Sequence, residues 1–122
     1  MRSPAFDHEK LDVYRLSIEL LAWAGALIDD GLRGTKLSAI KHLDEDSTSI
    51  ALNIAEGNGK RSRPDRSRFL DIARGSALES AACLDVLIAR RRLSPADVIP
   101  GKDMLVRIVS MLTKLIERLA SS

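Results

Sequence analysis

The spacing of the apolar residues most strongly limits the folds that this chain can adopt. In four segments these residues recur at intervals of three and four, the period of an α-helix with one buried face. The predicted helices cover residues 9–28, residues 36 or 38 to 56, residues 62–91 and residues 102–119. No segment shows the strict alternation that is typical of a strand. Four helices with short connections predict an all-α fold, an antiparallel up-and-down four-helix bundle.

Glycines and prolines predict where these helices begin and end. Residues 29–34 contain two glycines and are interpreted as a loop, and Gly57 is expected to be the C-terminal glycine of the second helix. Ser62 is a candidate N-cap because Pro64 and Asp65 suit the first turn that follows it. Pro100-Gly101 is expected to delay the start of the last helix.

Length and composition indicate one small domain with an aliphatic core. The 122 residues correspond to a single domain, 1–122, in which 45% of residues are hydrophobic but only 3% are aromatic. Cys83 is the only cysteine, which excludes an internal disulfide framework, and it is interpreted as a small buried apolar residue. We see no apolar run long enough for a membrane span and no signal peptide, so a cytoplasmic location is expected.

The first helix carries two apolar seams on adjacent faces. One seam consists of Leu11, Tyr14, Ile18, Leu21 and Ile28. The second consists of Val13, Leu16, Leu20, Trp23 and Leu27. Because the core of a bundle needs only one seam, we predict that the second forms an interface in a homo-oligomer. The alternative is that the helix is inserted deeply into its own bundle.

Asn53, Glu56, Ser76 and Glu79 are unusual polar residues on the two central helices. Asn53 and Glu56 are three residues apart on the second helix, and Ser76 and Glu79 are three residues apart on the third, so the members of each pair share a helix face. If the two faces meet, the four side chains form one polar cluster inside the bundle, which we interpret as structural. Paired carboxylates also suit acid–base chemistry or a metal site, but the Glu-x-x-His pattern of di-iron bundles is absent. We therefore predict no catalytic residue, no metal ligand and no cofactor, and we do not expect an enzyme.

A basic segment follows the second helix. Its cationic residues, the candidates for nucleic-acid binding, are Lys60, Arg61, Arg63, Arg66 and Arg68. The formal net charge of the chain is only +2, so a weak total conceals a strong local patch. A phosphate-binding loop is excluded, since Ile54 stands at the position of its first glycine and no strand precedes it. Few aromatic residues are available for base stacking, so binding to structured RNA by shape and charge is favoured. The alternative is a solvated basic turn.

Two runs of sequence carry a family resemblance, residues 49–62 and residues 68–79. The matching residues are Ser49, Ile50, Asn53, Ile54, Ala55, Glu56, Gly57, Phe69, Ala73, Gly75, Ser76 and Glu79. Together these runs resemble a family of four-helix-bundle proteins encoded by intervening sequences of bacterial 23S ribosomal RNA genes. They also resemble the accessory proteins of diversity-generating retroelements.

The resemblance implies a ring-like homo-oligomer, with a pentamer as the family's known form, and motif residues that are structural and not catalytic. It also implies that basic surfaces contact RNA and that a reverse transcriptase or another protein is a partner. Asp44-Glu45-Asp46 departs from the family pattern, which favours the segment from Lys60 to Arg68 as the RNA-binding surface. We therefore expect a non-enzymatic, oligomeric bundle that binds RNA or another nucleic acid. The alternative is a protein-interaction scaffold that binds no nucleic acid.

Overall fold

The computed structural model describes residues 6–121, and four long helices make up most of this part of the chain. The helices are α1 (Asp12–Ala26), α2 (Ser38–Gly59), α3 (Arg63–Ala89) and α4 (Ile99–Ala120). Short 3-10 turns at Asp7–Lys10 and Pro95–Val98 precede α1 and α4, and a π-helical turn, Leu27–Gly31, extends α1. Residues 6–121 contain no strand, so the all-α prediction is confirmed. None of the helices in this range is long and apolar enough to cross a bilayer.

Each helix packs against its neighbours in the chain, and α1 also packs against α4. Of these four helix pairs, α2 and α3 have the most extensive contact and α1 and α4 have the least extensive. At one end of the molecule Arg63, at the start of α3, lies beside Leu119, at the end of α4. Near the other end Lys102, at the start of α4, forms an ion pair with Asp85 in α3.

The core is aliphatic, as the composition predicted. The largest fully buried apolar side chains are Leu20, Leu43, Ile50, Ile54, Leu84, Leu87, Leu105, Ile108 and Leu112. Burial of each leucine or isoleucine contributes about 1.5–3 kcal/mol to the stability of the fold. In α4, Leu105, Ile108 and Leu112 are buried in this core, and Leu115 and Leu119 pack against it.

The second apolar seam of the first helix is mostly buried within its own chain, whereas the sequence predicted that it lies at an interface between subunits. Val13, Leu16 and Leu20 are only 3%, 4% and 1% exposed and lie in the core of their own chain. The predicted oligomer interface is therefore wrong for these three residues, because a side chain without accessible surface cannot contact another subunit. The structure shows the alternative, in which α1 is inserted deeply among the other helices of its own chain. Trp23 and Leu27 are half-buried against the same core, so their contact with another subunit stays a prediction.

Gly57 does not end the second helix. It is buried inside α2, which continues to Gly59. A Cβ atom on Gly57 would lie 3.0 Å from the Cβ of Phe69 and 3.2 Å from the carbonyl oxygen of Arg66. The glycine is thus needed for the close approach of α3, and the prediction of a C-terminal glycine is wrong.

The other helix ends follow the capping rules with two shifts. Ser62 caps α3 as predicted, since its Oγ accepts a hydrogen bond from the backbone N–H of Asp65 at 3.2 Å. α4 begins at Ile99, earlier than predicted, because Pro100 in the first helical turn costs no hydrogen bond. α1 continues into its π-helical turn as far as Gly31, and Gly34 takes the positive φ of 80° that reverses the chain.

Candidate nucleic-acid interface

The five basic residues predicted to bind nucleic acid all lie at the corner between α2 and α3. Only residues 60–62 separate the two helices, so Lys60 and Arg61 follow α2 directly and the other three fall in the first two turns of α3. Arg61, Arg63 and Arg68 are exposed, while Lys60 and Arg66 are half-buried. The structure therefore brings these cations together at one end of the molecule.

Two of these cations are engaged within the chain. Lys60 Nζ lies 3.1 Å from a carboxylate oxygen of Glu56, and an Nη of Arg68 lies 3.9 Å from Asp65. Both cations also lie over the ring of Phe69, at 5.0 Å and 4.7 Å from its centroid. Cation–π contacts of this kind fix the two side chains at the corner. Their charge is thus partly neutralised before any ligand arrives.

The other three cations have no acidic partner in the part of the chain that the structure describes. Arg61, Arg63 and Arg66 make no ion pair within 4.0 Å to any carboxylate of residues 6–121. Arg66 Nε donates a hydrogen bond of 2.6 Å to the carbonyl oxygen of Lys60, which fixes the short connection. These three arginines therefore carry the charge that is available to an anionic partner.

Cations from distant parts of the sequence join the same end of the molecule. Arg118 near the end of α4 lines a cleft together with Arg63 and Arg66 of the α2–α3 corner. Lys114 in α4 and Lys10 just before α1 line an adjoining cleft that also includes Arg118. None of them pairs with a carboxylate in the part of the chain that the structure describes. The sequence analysis did not identify these residues because they do not belong to a segment rich in basic residues. The only local signal was the four-residue spacing of Lys114 and Arg118 on one face of a helix.

The predicted cluster of four polar residues is only half formed. Ser76 Oγ lies 2.9 Å from the Oγ of Ser49, and Asn53 Nδ2 donates to the carbonyl oxygen and the Oγ of Ser49, both at 2.9 Å. Ser49 therefore bridges Asn53 and Ser76 across the α2–α3 contact. Glu56 points instead to solvent and Lys60, and Glu79 is also exposed, so neither belongs to the cluster. Burial of two carboxylates without cationic partners would have been costly.

Glu79 lies beside a different group in a groove between α2 and α3. The groove also contains His42, Asp46 and Cys83, and the Oδ2 atom of Asp46 is buried without a hydrogen-bond partner. Burial, followed by the charge of Glu79, raises the pKa of the Asp46 carboxyl, which His42 partly offsets. Burial and the charges of Asp46 and Glu79 raise the pKa of the Cys83 thiol. The half-buried thiol therefore stays protonated, consistent with an unreactive cysteine.

Within residues 6–121, no three His, Cys, Asp or Glu side chains are close enough together to hold a metal ion. The arrangement of charges instead suits an anionic ligand at the opposite, basic end of α2 and α3.

Comparison with known proteins places the chain in a family. The family model described as 23S rRNA-intervening sequence protein matches residues 9–114. The chain belongs to this family. The intervening-sequence resemblance is thus confirmed, while the retroelement resemblance stays a prediction. No curated protein matches this family member.

A solved structure has the same fold as this chain. It is the crystal structure of a protein with unknown function from the S23 ribosomal protein family of Bacteroides thetaiotaomicron. The two chains are 23% identical with a TM-score of 0.75, and the match covers 86% of this chain and 98% of the other. At this level of identity the likeness supports the helical fold alone.

Proposed function

We propose that this protein is a non-enzymatic, homo-oligomeric antiparallel four-helix bundle that binds structured RNA or another nucleic acid through its basic end. The observation that carries the proposal is the group of three arginines at the α2–α3 corner, Arg61, Arg63 and Arg66, which make no ion pair within residues 6–121. Lys114 and Arg118 add further cations to the same end. The family resemblance stated above, in which basic surfaces contact RNA, favours an RNA ligand.

The contacts at the helix ends support the antiparallel arrangement. The start of α3 lies beside the end of α4, and Asn58 at the end of α2 donates a 2.9 Å hydrogen bond to Asp7, just before α1. Helices that run in alternating directions bring such pairs of ends together, with short connections. All four helices then contribute residues to the basic end.

The proposed mechanism is recognition of the phosphate backbone by charge and shape. Guanidinium groups bind phosphate through paired hydrogen bonds and neutralise its charge. Base stacking is disfavoured because the ring of Phe69 is already covered by Lys60 and Arg68. The ligand is therefore expected to be a folded RNA with a regular backbone, bound with little sequence preference.

Fluorescence anisotropy with a structured RNA and a duplex DNA, each across a series of salt concentrations, tests this proposal. Arg61→Glu with Arg63→Glu should abolish binding to RNA and leave the far-UV circular dichroism unchanged. If residual duplex binding is measurable, loss of two phosphate contacts should flatten its salt slope by about 1.8. The matched control is Arg90→Glu with Arg92→Glu, the same change of charge at exposed positions beyond the other end of α3.

Two results would contradict the proposal. One is binding by the Arg61/Arg63 variant that is as tight as wild type. The other is an equal loss of affinity in the Arg90/Arg92 control, since the effect would then follow the total charge and not the basic end.

A protein-interaction scaffold is the second candidate, because one face of α3 exposes a stripe of apolar and small residues. Ile72 and Val86 are 44% and 43% exposed, Gly75 and Ala82 lie between them at the spacing of one helix face, and the exposed carboxylate of Glu79 interrupts the stripe. Exposed apolar stripes with small residues suit the docking of another helix. We propose this stripe as the surface for self-association in place of the buried α1 seam. A pentameric ring and a reverse transcriptase partner rest on the family resemblance stated above.

Native mass spectrometry tests the stripe. Ile72→Glu with Val86→Glu should convert the oligomer to monomer, while Val106→Glu, at an exposed position on α4, should not. A wild-type protein that is monomeric at micromolar concentration would refute self-association through any surface.

A further inference from the structure

At the basic end of the molecule the helices leave an apolar cleft of about 240 Å³. Four leucines, one before α1, one in α3 and two near the end of α4, supply its apolar lining: Leu11, Leu70, Leu115 and Leu119. Three arginines, Arg63, Arg66 and Arg118, also line the cleft. A leucine-lined cleft beside three cations is suited to a molecule with an aliphatic part and an anionic part.

The three arginines are available to such a ligand. None pairs with a carboxylate among residues 6–121. Arg66 Nε donates a hydrogen bond to the carbonyl oxygen of Lys60, and an Nη of Arg63 makes only a long contact of 3.4 Å with the carbonyl oxygen of Leu119. Each guanidinium has five N–H donors in a planar fork that matches a carboxylate. Unused donors therefore remain on all three arginines.

We propose that this cleft binds a small aliphatic carboxylate, with its chain against the leucines and its carboxylate on the arginines. A cavity of about 150 Å³ accepts benzene, so this cleft has room for a chain of about eight carbons. A nucleobase fits less well, because the lining has no aromatic ring for stacking. The ligand's charge must be negative, since a cation would meet three arginines.

Isothermal titration calorimetry with octanoate, on the whole protein, tests the proposal. Butanoate, hexanoate and octanoate should bind in order of increasing affinity, by about fourfold for each buried methylene group. Octanol should bind more weakly than octanoate, and octylamine should not bind. In methyl NMR spectra, octanoate should shift the signals of Leu11, Leu70, Leu115 and Leu119 more than those of the other leucines.

Arg118→Gln should weaken octanoate binding about tenfold or more, through the loss of a charge-assisted hydrogen bond. The matched control is Arg107→Gln, about three turns earlier on α4 and outside the cleft, which should bind as wild type does. Absence of saturable binding in the millimolar range, equal binding of octylamine, or an equal loss in the Arg107 control would overturn the proposal. Because no RNA is present, the outcome is independent of whether the protein binds nucleic acid.

Discussion

The contact between Gly101 and Trp23 gives a sharp prediction about how α4 is held against α1. Gly101 is buried in the first turn of α4. A Cβ atom at this position would lie 2.8 Å from Cε3 of the Trp23 indole and nearer still to Cζ3 and Cη2. Real Cβ atoms essentially never approach another heavy atom closer than 3.0 Å. Gly101→Ala therefore requires either the indole ring or the start of α4 to move.

The expected cost follows from two opposing terms. Overpacking of this kind costs about 1–3 kcal/mol, while replacement of a helical glycine by alanine gains up to about 1 kcal/mol. The gain is smaller in a first turn, so we expect a net loss of about 1–2 kcal/mol in the free energy of unfolding. For a domain of this size such a loss lowers the Tm by about 4–8 °C.

Urea denaturation followed by circular dichroism measures the loss, and fluorescence of Trp23, the only tryptophan, reports the packing directly. The control is Gly25→Ala in α1, where a Cβ would meet no atom within 4 Å. This variant should be more stable by about 0.5–1 kcal/mol. In a Trp23→Leu background the cost of Gly101→Ala should fall by about 1 kcal/mol or more. The steric explanation is refuted if Gly101→Ala is as stable as wild type, or if its cost is unchanged without the indole.

Two further substitutions test the polar groups between α2 and α3, again by urea denaturation. Ser76→Ala should lower the free energy of unfolding by about 0.5–1.5 kcal/mol, because the hydrogen bond to Ser49 is lost, whereas Glu56→Gln on the exposed side should change it by less than about 0.5 kcal/mol. If Ser76→Ala and Glu56→Gln changed the free energy of unfolding equally, the difference in burial between Ser76 and Glu56 would not explain their roles. Asp46→Asn should stabilise the fold at neutral pH, because the raised pKa of Asp46 in the folded state means that its ionised form is disfavoured there. The stability linked to this proton is fully present below pH 3.8 and is lost as the pH rises through the folded-state pKa, so the gain from Asn should shrink on acidification. A gain that is independent of pH, or a similar gain from Asp44→Asn at an exposed position, would contradict this explanation.

The sequence by itself determined the helices, the cap at Ser62, the aliphatic core and the basic corner from Lys60 to Arg68. These features depend on residues close together in the chain. A three- and four-residue period defines one face of a helix, a serine hydroxyl caps the turn that follows it, and a three-residue connection keeps neighbouring charges together.

Tertiary structure alone decided which face of α1 is buried, because both of its seams are apolar and only the neighbouring helices select one of them. The contact between α2 and α3 likewise requires a glycine at position 57, because a side chain there would collide with α3. The same contact includes Asn53, Ser49 and Ser76 but leaves Glu56 and Glu79 outside. The same packing placed Arg118 beside Arg63 and Arg66, although more than fifty residues of sequence separate them. Helix periodicity sets the angle of a residue about its own axis, but the rotation and approach of one helix relative to another follow from the packing of the whole core.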